Sequence, residues 1–213
     1  DVQAASRMMV HFPKEGLMRA KILIVMLSVL VVGSAACDRE DAEEREEQMA
    51  VKAQASSAPT WQETLARYIP ALGHRNWIVV ADSAFPLQIS PGIETIATGE
   101  DHFAVLDKVL KMVDGAKHLR PKIWLDKELA YVTEDLAPGA DEAKRRLDEA
   151  LKGRGAMPML HADLIARLDE VGRTFKIVMV KTTLAVPYTT AFLELDCGYW
   201  GPDAEAEMRE KMK

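Results

Sequence analysis

From Trp77 to Ala81 the chain runs Trp-Ile-Val-Val-Ala without a polar residue, the pattern of a strand buried on both faces, and Asp82 stands at its carboxyl end. Upstream, Thr60-Trp61-Gln62-Glu63 has the form of a capping box and is followed by Leu65, Tyr68 and Ile69 at helical spacing. A short helix therefore opens the folded region, and Pro70 and Gly73 end it. Beyond a loop holding Pro86 and Pro91, the residues Phe103, Leu106, Val109, Leu110 and Val113 form one apolar face of a helix that stops at Gly115. Pro121 to Val132 reads as a strand with a frayed middle, and Asp141 to Lys152 as a charged surface helix with Leu147 and Leu151 turned inward. Met159 to Val171 reads as a further helix, and Phe175 to Val180 and Ala191 to Leu195 as the last two strands. Strands alternating with helices predict an α/β layered fold with a mostly parallel central sheet flanked by helices. Gly201 to Lys213 is polar and predicts no more than a loose terminal helix.

The amino-terminal stretch has a different pattern. Met18, Arg19 and Lys21 precede an apolar run from Ile22 to Val32, broken only by Ser28, and the small residues Gly33-Ser34-Ala35-Ala36 follow. This charged, apolar, small-residue order predicts a secretory signal over 18–36, too short for a spanning helix, which needs about 20 apolar residues. Residues 1–17 carry no pattern and read as an upstream extension, with Met18 as the start. Ser34-Ala35-Ala36 suits an ordinary signal peptidase, whereas Cys37 directly after it resembles the lipidated cysteine of a bacterial lipobox. Asp38 resembles the signal that retains lipoproteins on an inner membrane. The expected location is thus exported and periplasmic, lipid-anchored to the inner membrane through Cys37. Residues 37–59 are acidic, then rich in Ala, Ser and Gln, too polar to offset the entropy of ordering, and read as a tether. The folded domain is expected over 60–200, with 201–213 as a polar tail.

Composition narrows the function. The 213 residues are 48% hydrophobic and 28% charged, enough for one domain with its own core once signal and tether are set aside. A net charge of -6 and a pI near 5.5 leave no basic field for a phosphate backbone, so nucleic acid is not expected as a partner. The 2 cysteines, Cys37 and Cys197, form no disulfide framework if the first is lipidated, and Cys197 is expected to be a small buried residue.

Chemistry concentrates in Gly73-His74-Arg75-Asn76-Trp77-Ile78-Val79-Val80-Ala81-Asp82-Ser83-Ala84-Phe85-Pro86, where a histidine precedes a buried strand and an aspartate follows it, with Gly73 allowing close backbone approach. A strand rises roughly 3.3 Å per residue, so His74 and Asp82 of one chain stand too far apart for a direct hydrogen bond. If both act on one ligand, the site is folded back or shared between copies. Asp82 is also placed to cap the turn that follows it. His102 and His118 have no partner at ligand spacing and read as solvated. A zinc reading of His74, Asp82 and His161 is the weaker alternative to a metal-free site.

Gly73-His74, the apolar strand, Ala81-Asp82 and Phe85-Pro86 resemble the opening motif of the ribose pyranase and fucose mutarotase family. Pro187-Tyr188 followed by Ala191-Phe192-Leu193 resembles the family's closing Pro-Tyr-x-Asn and strand, and His161 falls near its second functional histidine. The resemblance spans Trp61 to Gly198. It implies opening and reclosing of a monosaccharide hemiacetal by acid and base groups, with no cofactor, in a ring-shaped homo-oligomer whose site lies at a subunit contact. It implies His74 and Asp82 as the catalytic pair, with His161, Tyr188 and Thr190 as substrate-binding residues. Two positions depart from the family pattern: Thr190 stands where the family has asparagine, and Thr182-Thr183-Leu184 replaces its Thr-Gly-Glu. Those departures leave open a carbohydrate-binding or assembly lipoprotein that keeps the fold without turnover.

Overall fold

The computed structural model describes residues 58–213; the expected upstream extension, signal, Cys37 and nearly all of the tether lie outside the described residues. The first element is helix α1 (Trp61–Tyr68), and its capping box forms as the sequence predicts. The Glu63 N–H donates to the Thr60 hydroxyl at 3.2 Å, and the Thr60 N–H donates to the Glu63 carboxylate at 2.8 Å. Strand β1 (Trp77–Ala81) follows, then β2 (Ile93–Ala97), helix α2 (His102–Asp114) and β3 (Leu119–Asp126). A 3-10 turn over Lys127–Tyr131 leads to helix α3 (Ala140–Ala150), strand β4 (Met157–Met159), helix α4 (His161–Val171), strands β5 (Ile177–Lys181) and β6 (Ala191–Cys197), and helix α5 (Pro202–Lys211).

The strands form one six-stranded sheet in the order β2-β5-β1-β6-β3-β4. β2, β5 and β1 pair in parallel, as do β3 and β4, while β6 runs antiparallel to both of its neighbours. The expected mostly parallel sheet is therefore what forms, with one reversed strand. That reversal sets the first residue of β6 at the carboxyl edge of the other strands and its last at their amino edge.

Alternation along β1 divides the core into two layers. Ile78 and Val80 pack with Leu65, Leu106, Val109 and Leu147 on the face covered by α1, α2 and α3, whereas Trp77, Val79 and Ala81 pack with Leu164 and Leu168 of α4 on the other. Each such fully buried aliphatic side chain contributes about 1.5–3 kcal/mol, which fixes the strand register and with it every side chain that projects from a strand end.

Several expectations change. Met157–Met159 forms an edge strand, so α4 begins at His161, not Met159. Ile93–Ala97 is a strand where a loop was expected, and the apolar group Leu129 to Val132 turns in a 3-10 segment and does not continue β3. The tail folds as α5, and Cys197 is half-buried rather than interior. No backbone crowds Gly73, because a side chain there would meet nothing within 4 Å; the left-handed residue of that turn is Arg75, with φ 73°. No described helix is long and apolar enough to cross a membrane.

Candidate functional site

The parallel strands end at a common edge, and there the chain brings together side chains far apart in sequence. Asp126 is the last residue of β3 and His161 the first of α4, and the His161 Nδ1 lies 2.9 Å from Asp126 Oδ1. The His161 side chain is 37% exposed and that of Asp126 1%. The imidazole thus reaches outward from a carboxylate that does not. An ionised carboxylate only accepts, so Nδ1 carries the proton and Nε2 is left as the basic atom facing outward. The Glu128 carboxylate accepts the His161 backbone N–H at 3.0 and 3.1 Å, fixing the start of the helix that carries the imidazole.

Burial pushes the Asp126 carboxyl up to about 6, against the lowering effect of His161, and the nearby charges of Glu128 and Asp82 add to the rise. Its second oxygen, Oδ2, is buried and has no hydrogen-bond partner. The imidazole stands roughly perpendicular to Phe85 and Tyr188, with ring centroids 6.5 Å and 5.5 Å away. Tyr188 holds its ring there from a left-handed backbone, φ 61°, an uncommon conformation for an aromatic residue.

Asp82 closes the same edge from the end of β1. Its Oδ1 accepts the Ala84 N–H at 2.9 Å and its Oδ2 accepts the Thr190 hydroxyl at 2.8 Å. Asp82 therefore caps its turn and also faces the cluster, with acceptor directions remaining on each oxygen. Thr190 is fully buried and spends its hydroxyl on Asp82; it positions the carboxylate and does not reach a ligand as a substrate-binding residue would. Leu184 is half-buried against the core, where no carboxylate could sit without cost.

His102 is not solvated as the sequence suggested. It is fully buried, with Nδ1 3.0 Å from the Thr182 hydroxyl, which itself donates to the Ala81 carbonyl at 2.9 Å. Thr182 having spent its proton, His102 donates through Nδ1, and Nε2 is buried with no partner. Burial lowers its pKa to about 4 in spite of the charges of Asp82 and Asp101. His118 is half-buried, with Nε2 3.2 Å from the Ile69 carbonyl.

Cavities of about 260 Å³ and 330 Å³ open beside the cluster, the first lined by Asp126, Leu129 and Met157, the second by Glu128, Tyr131 and Tyr188. The segments at this edge expose Tyr131, Leu136 and Leu160, and the loop that runs from it toward the opposite edge exposes Leu87 and Ile89.

His74 stands elsewhere. It precedes β1 at the opposite edge of the sheet, is 58% exposed, and contacts Asp196 Oδ1 through Nδ1 at 2.9 Å. The five residues of β1 alone separate it from Asp82 by about 15 Å. His74, Asp82 and His161 therefore do not meet within one chain, which rules out the zinc reading there. Among the described residues no group of three or more metal-ligating side chains converges. Asp126 is the site residue that sequence reasoning missed. A strand read through to Val132 hides it; with β3 ending at Asp126 it is, like Asp82, a carboxylate at the carboxyl end of a strand, where open α/β sheets place ligands.

No family model matches the chain, and no curated protein matches it. Among solved structures it is similar to RbsD of Bacillus subtilis, complexed with D-ribose, at 15% identity and TM-score 0.43, over 66% of this chain and 96% of that one. It is also similar to FucU from Bifidobacterium longum, at 13% identity and TM-score 0.42, over 62% and 93%. A fucose mutarotase from Streptococcus pneumoniae, in complex with L-fucose, is 17% identical at TM-score 0.41, over 62% and 91%.

Proposed function

We propose that the chain is a monosaccharide mutarotase or pyranase-like isomerase, acting without a cofactor, and that the buried Asp126 holding an outward-facing His161 is the observation that carries the reading. The reaction removes the proton of the anomeric hydroxyl, breaks the bond from the anomeric carbon to the ring oxygen and protonates that oxygen. The open-chain sugar then recloses on either face by the reverse steps, with no change of oxidation state. His161 takes or returns one proton through Nε2, Asp126 keeps the imidazole in the useful tautomer, and Asp82 and Tyr188 hold sugar hydroxyls. Acid and base groups so placed contribute about 10² to 10⁴ each in rate.

The second acid or base is His74 of a neighbouring copy. Exposed apolar residues stand at both edges, Tyr131, Leu136 and Leu160 at one and Tyr199 at the other. A head-to-tail contact would bury both sets, carry His74 of one copy toward His161 of the next, and generate a ring if it closes. A periplasmic location on an inner membrane, with a lipid anchor on Cys37, belongs to the same proposal and is supported by the charged, apolar, small-residue order of 18–36.

Exchange NMR on the purified full-length chain with ribose, fucose and other monosaccharides tests the reading. Anomer exchange is expected to accelerate, and His74→Gln or His161→Gln to abolish most of the acceleration. Co-expression of the two variants should then restore about a quarter of it, because random head-to-tail neighbours pair the two intact histidines that often. Wild-type rates in His161→Gln would overturn the assignment. The core-packed Leu184 and the buried Thr190 favour one competing reading, a carbohydrate-binding or assembly lipoprotein. Sugar binding with no exchange would select it.

A further inference from the structure

The amino edge carries a cavity of about 750 Å³, within the range of about 300–1,000 Å³ typical of small-molecule sites. Its floor follows from strand periodicity. Arg120 and Lys122 alternate onto one face of β3, and Asp196 of β6 lies directly across from Arg120 in the register. Trp124 and Phe192, farther along that face, pack in the layer beneath α4, but at this end the face is charged.

Asp196 gathers the charges. It accepts from Lys122 Nζ at 3.0 Å, Arg120 Nη2 at 3.1 Å and the Cys197 N–H at 2.8 Å, besides its contact with His74. Burial pushes its carboxyl up, but the Cys197 N–H, Lys122, Arg120 and His74 together overcome this and hold it well below the usual range. One contact each leaves most N–H donors of the guanidinium and the ammonium uncommitted. Arg120 and Lys122 against Asp196 leave one positive charge, since Glu205 is matched by Arg209 at 2.7 Å and Glu194, across from Lys122, by Arg167 at 4.0 Å. The wall is Trp200, whose indole N–H donates to Glu205 at 2.8 Å, so the ring is tethered through its edge and its face stays available.

We infer that this cavity binds the anionic group of a charged saccharide, a uronic acid or a sugar phosphate, with Arg120 and Lys122 as counter-ions and the Trp200 ring as a stacking face. Asp196 holds the two cations at one place before the ligand arrives, which lowers the ordering cost of binding. The saccharide part of this inference rests on the proposed function; in a head-to-tail assembly these cations would enter the shared site beside His74. The charge part stands on the cavity itself.

Calorimetric titration of the full-length chain with D-glucuronate, D-glucose 6-phosphate and D-glucose tests it. At least one charged sugar is expected to bind about tenfold or more tighter than glucose at low salt, a margin that shrinks as salt is added. Glucuronate ahead of the phosphate identifies a carboxylate ligand, and the reverse order a phosphate. Arg120→Gln with Lys122→Gln should reduce the margin to within about threefold, while Arg120→Lys, which keeps the charge, should retain most of it. Equal binding of all three sugars, or a margin that survives the double glutamine variant in a folded protein, overturns the inference. Charged-sugar preference without faster anomer exchange would leave this site standing and sink the mutarotase reading. Faster exchange of glucose with no such preference would do the opposite.

Discussion

Two histidine–aspartate pairs close at 2.9 Å on opposite edges of one sheet, yet their carboxylates are driven in opposite directions. Asp196 stands among cations and a backbone N–H at a half-open surface and is held charged. Asp126 has one imidazole, no second partner for its other oxygen and almost no solvent, so its charge is resisted. An identical contact distance therefore says little about the chemistry of such a pair. What surrounds the carboxylate decides whether the pair is a charge hub suited to gathering cations or a proton-holding dyad suited to acid and base work.

Turnover separates the two pairs most directly. Asp126→Asn should lower the anomer-exchange rate by about 10² to 10⁴, as much as His161→Gln does, and the double variant should lose little more, because the two residues act as a unit. A rate unaffected by Asp126→Asn in exchange NMR would leave Asp126 merely structural.

Stability against pH distinguishes the buried groups by sign. His102 has a folded pKa near 4 against 6.5 unfolded, so its contribution is intact above pH 6.5 and lost as pH falls toward 4. The loss amounts to about 3 kcal/mol. His102→Gln should flatten that acid limb in urea titrations between pH 7 and 4.5.

Asp126 works with the other sign. Its folded pKa near 6 exceeds the ordinary 3.8, so the folded state gains protons first, and stability falls as pH rises from about 4 to 6. Asp126→Asn should therefore match the wild type near pH 4 and exceed it by up to about 3 kcal/mol at pH 7. Asp196→Asn is expected to do the reverse on a smaller scale. It should destabilise the protein at pH 7 by about 1 kcal/mol or less, since its cation partners are solvent-exposed, and become neutral once pH drops below the carboxylate range. The same Asp-to-Asn change would then shift the urea midpoint at pH 7 in opposite directions at the two edges.

The elements that could be read in advance are those whose cause is local. β1 is legible because five consecutive apolar residues need two covered faces, α1 because its cap is written in Thr60 and Glu63, and α2 because its apolar positions recur at helical spacing. β4 is only Met157–Met159 with a proline at its centre, an edge strand that exists through its pairing with Trp124 to Asp126. The reversal of β6 leaves no periodic trace, since apolar alternation carries no direction. Within the site, His161, Asp82 and Tyr188 were legible through motif resemblance, and they do gather at one edge. Asp126 lies in Leu125-Asp126-Lys127-Glu128, the charged middle of the stretch read as one strand to Val132, and only the end of β3 there sets it at the edge. His102 likewise depends on Thr182, 80 residues away.

The left-handed backbone of Tyr188 bears on how this position tolerates variation. An L-residue with a side chain gives up about 1–2 kcal/mol in that conformation, and glycine does not. In a saturation library sorted for abundance alone, glycine and asparagine should be enriched at 188. In one sorted for turnover, tyrosine should win despite its conformational handicap. The gap between the two rankings measures what the ring contributes beyond folding.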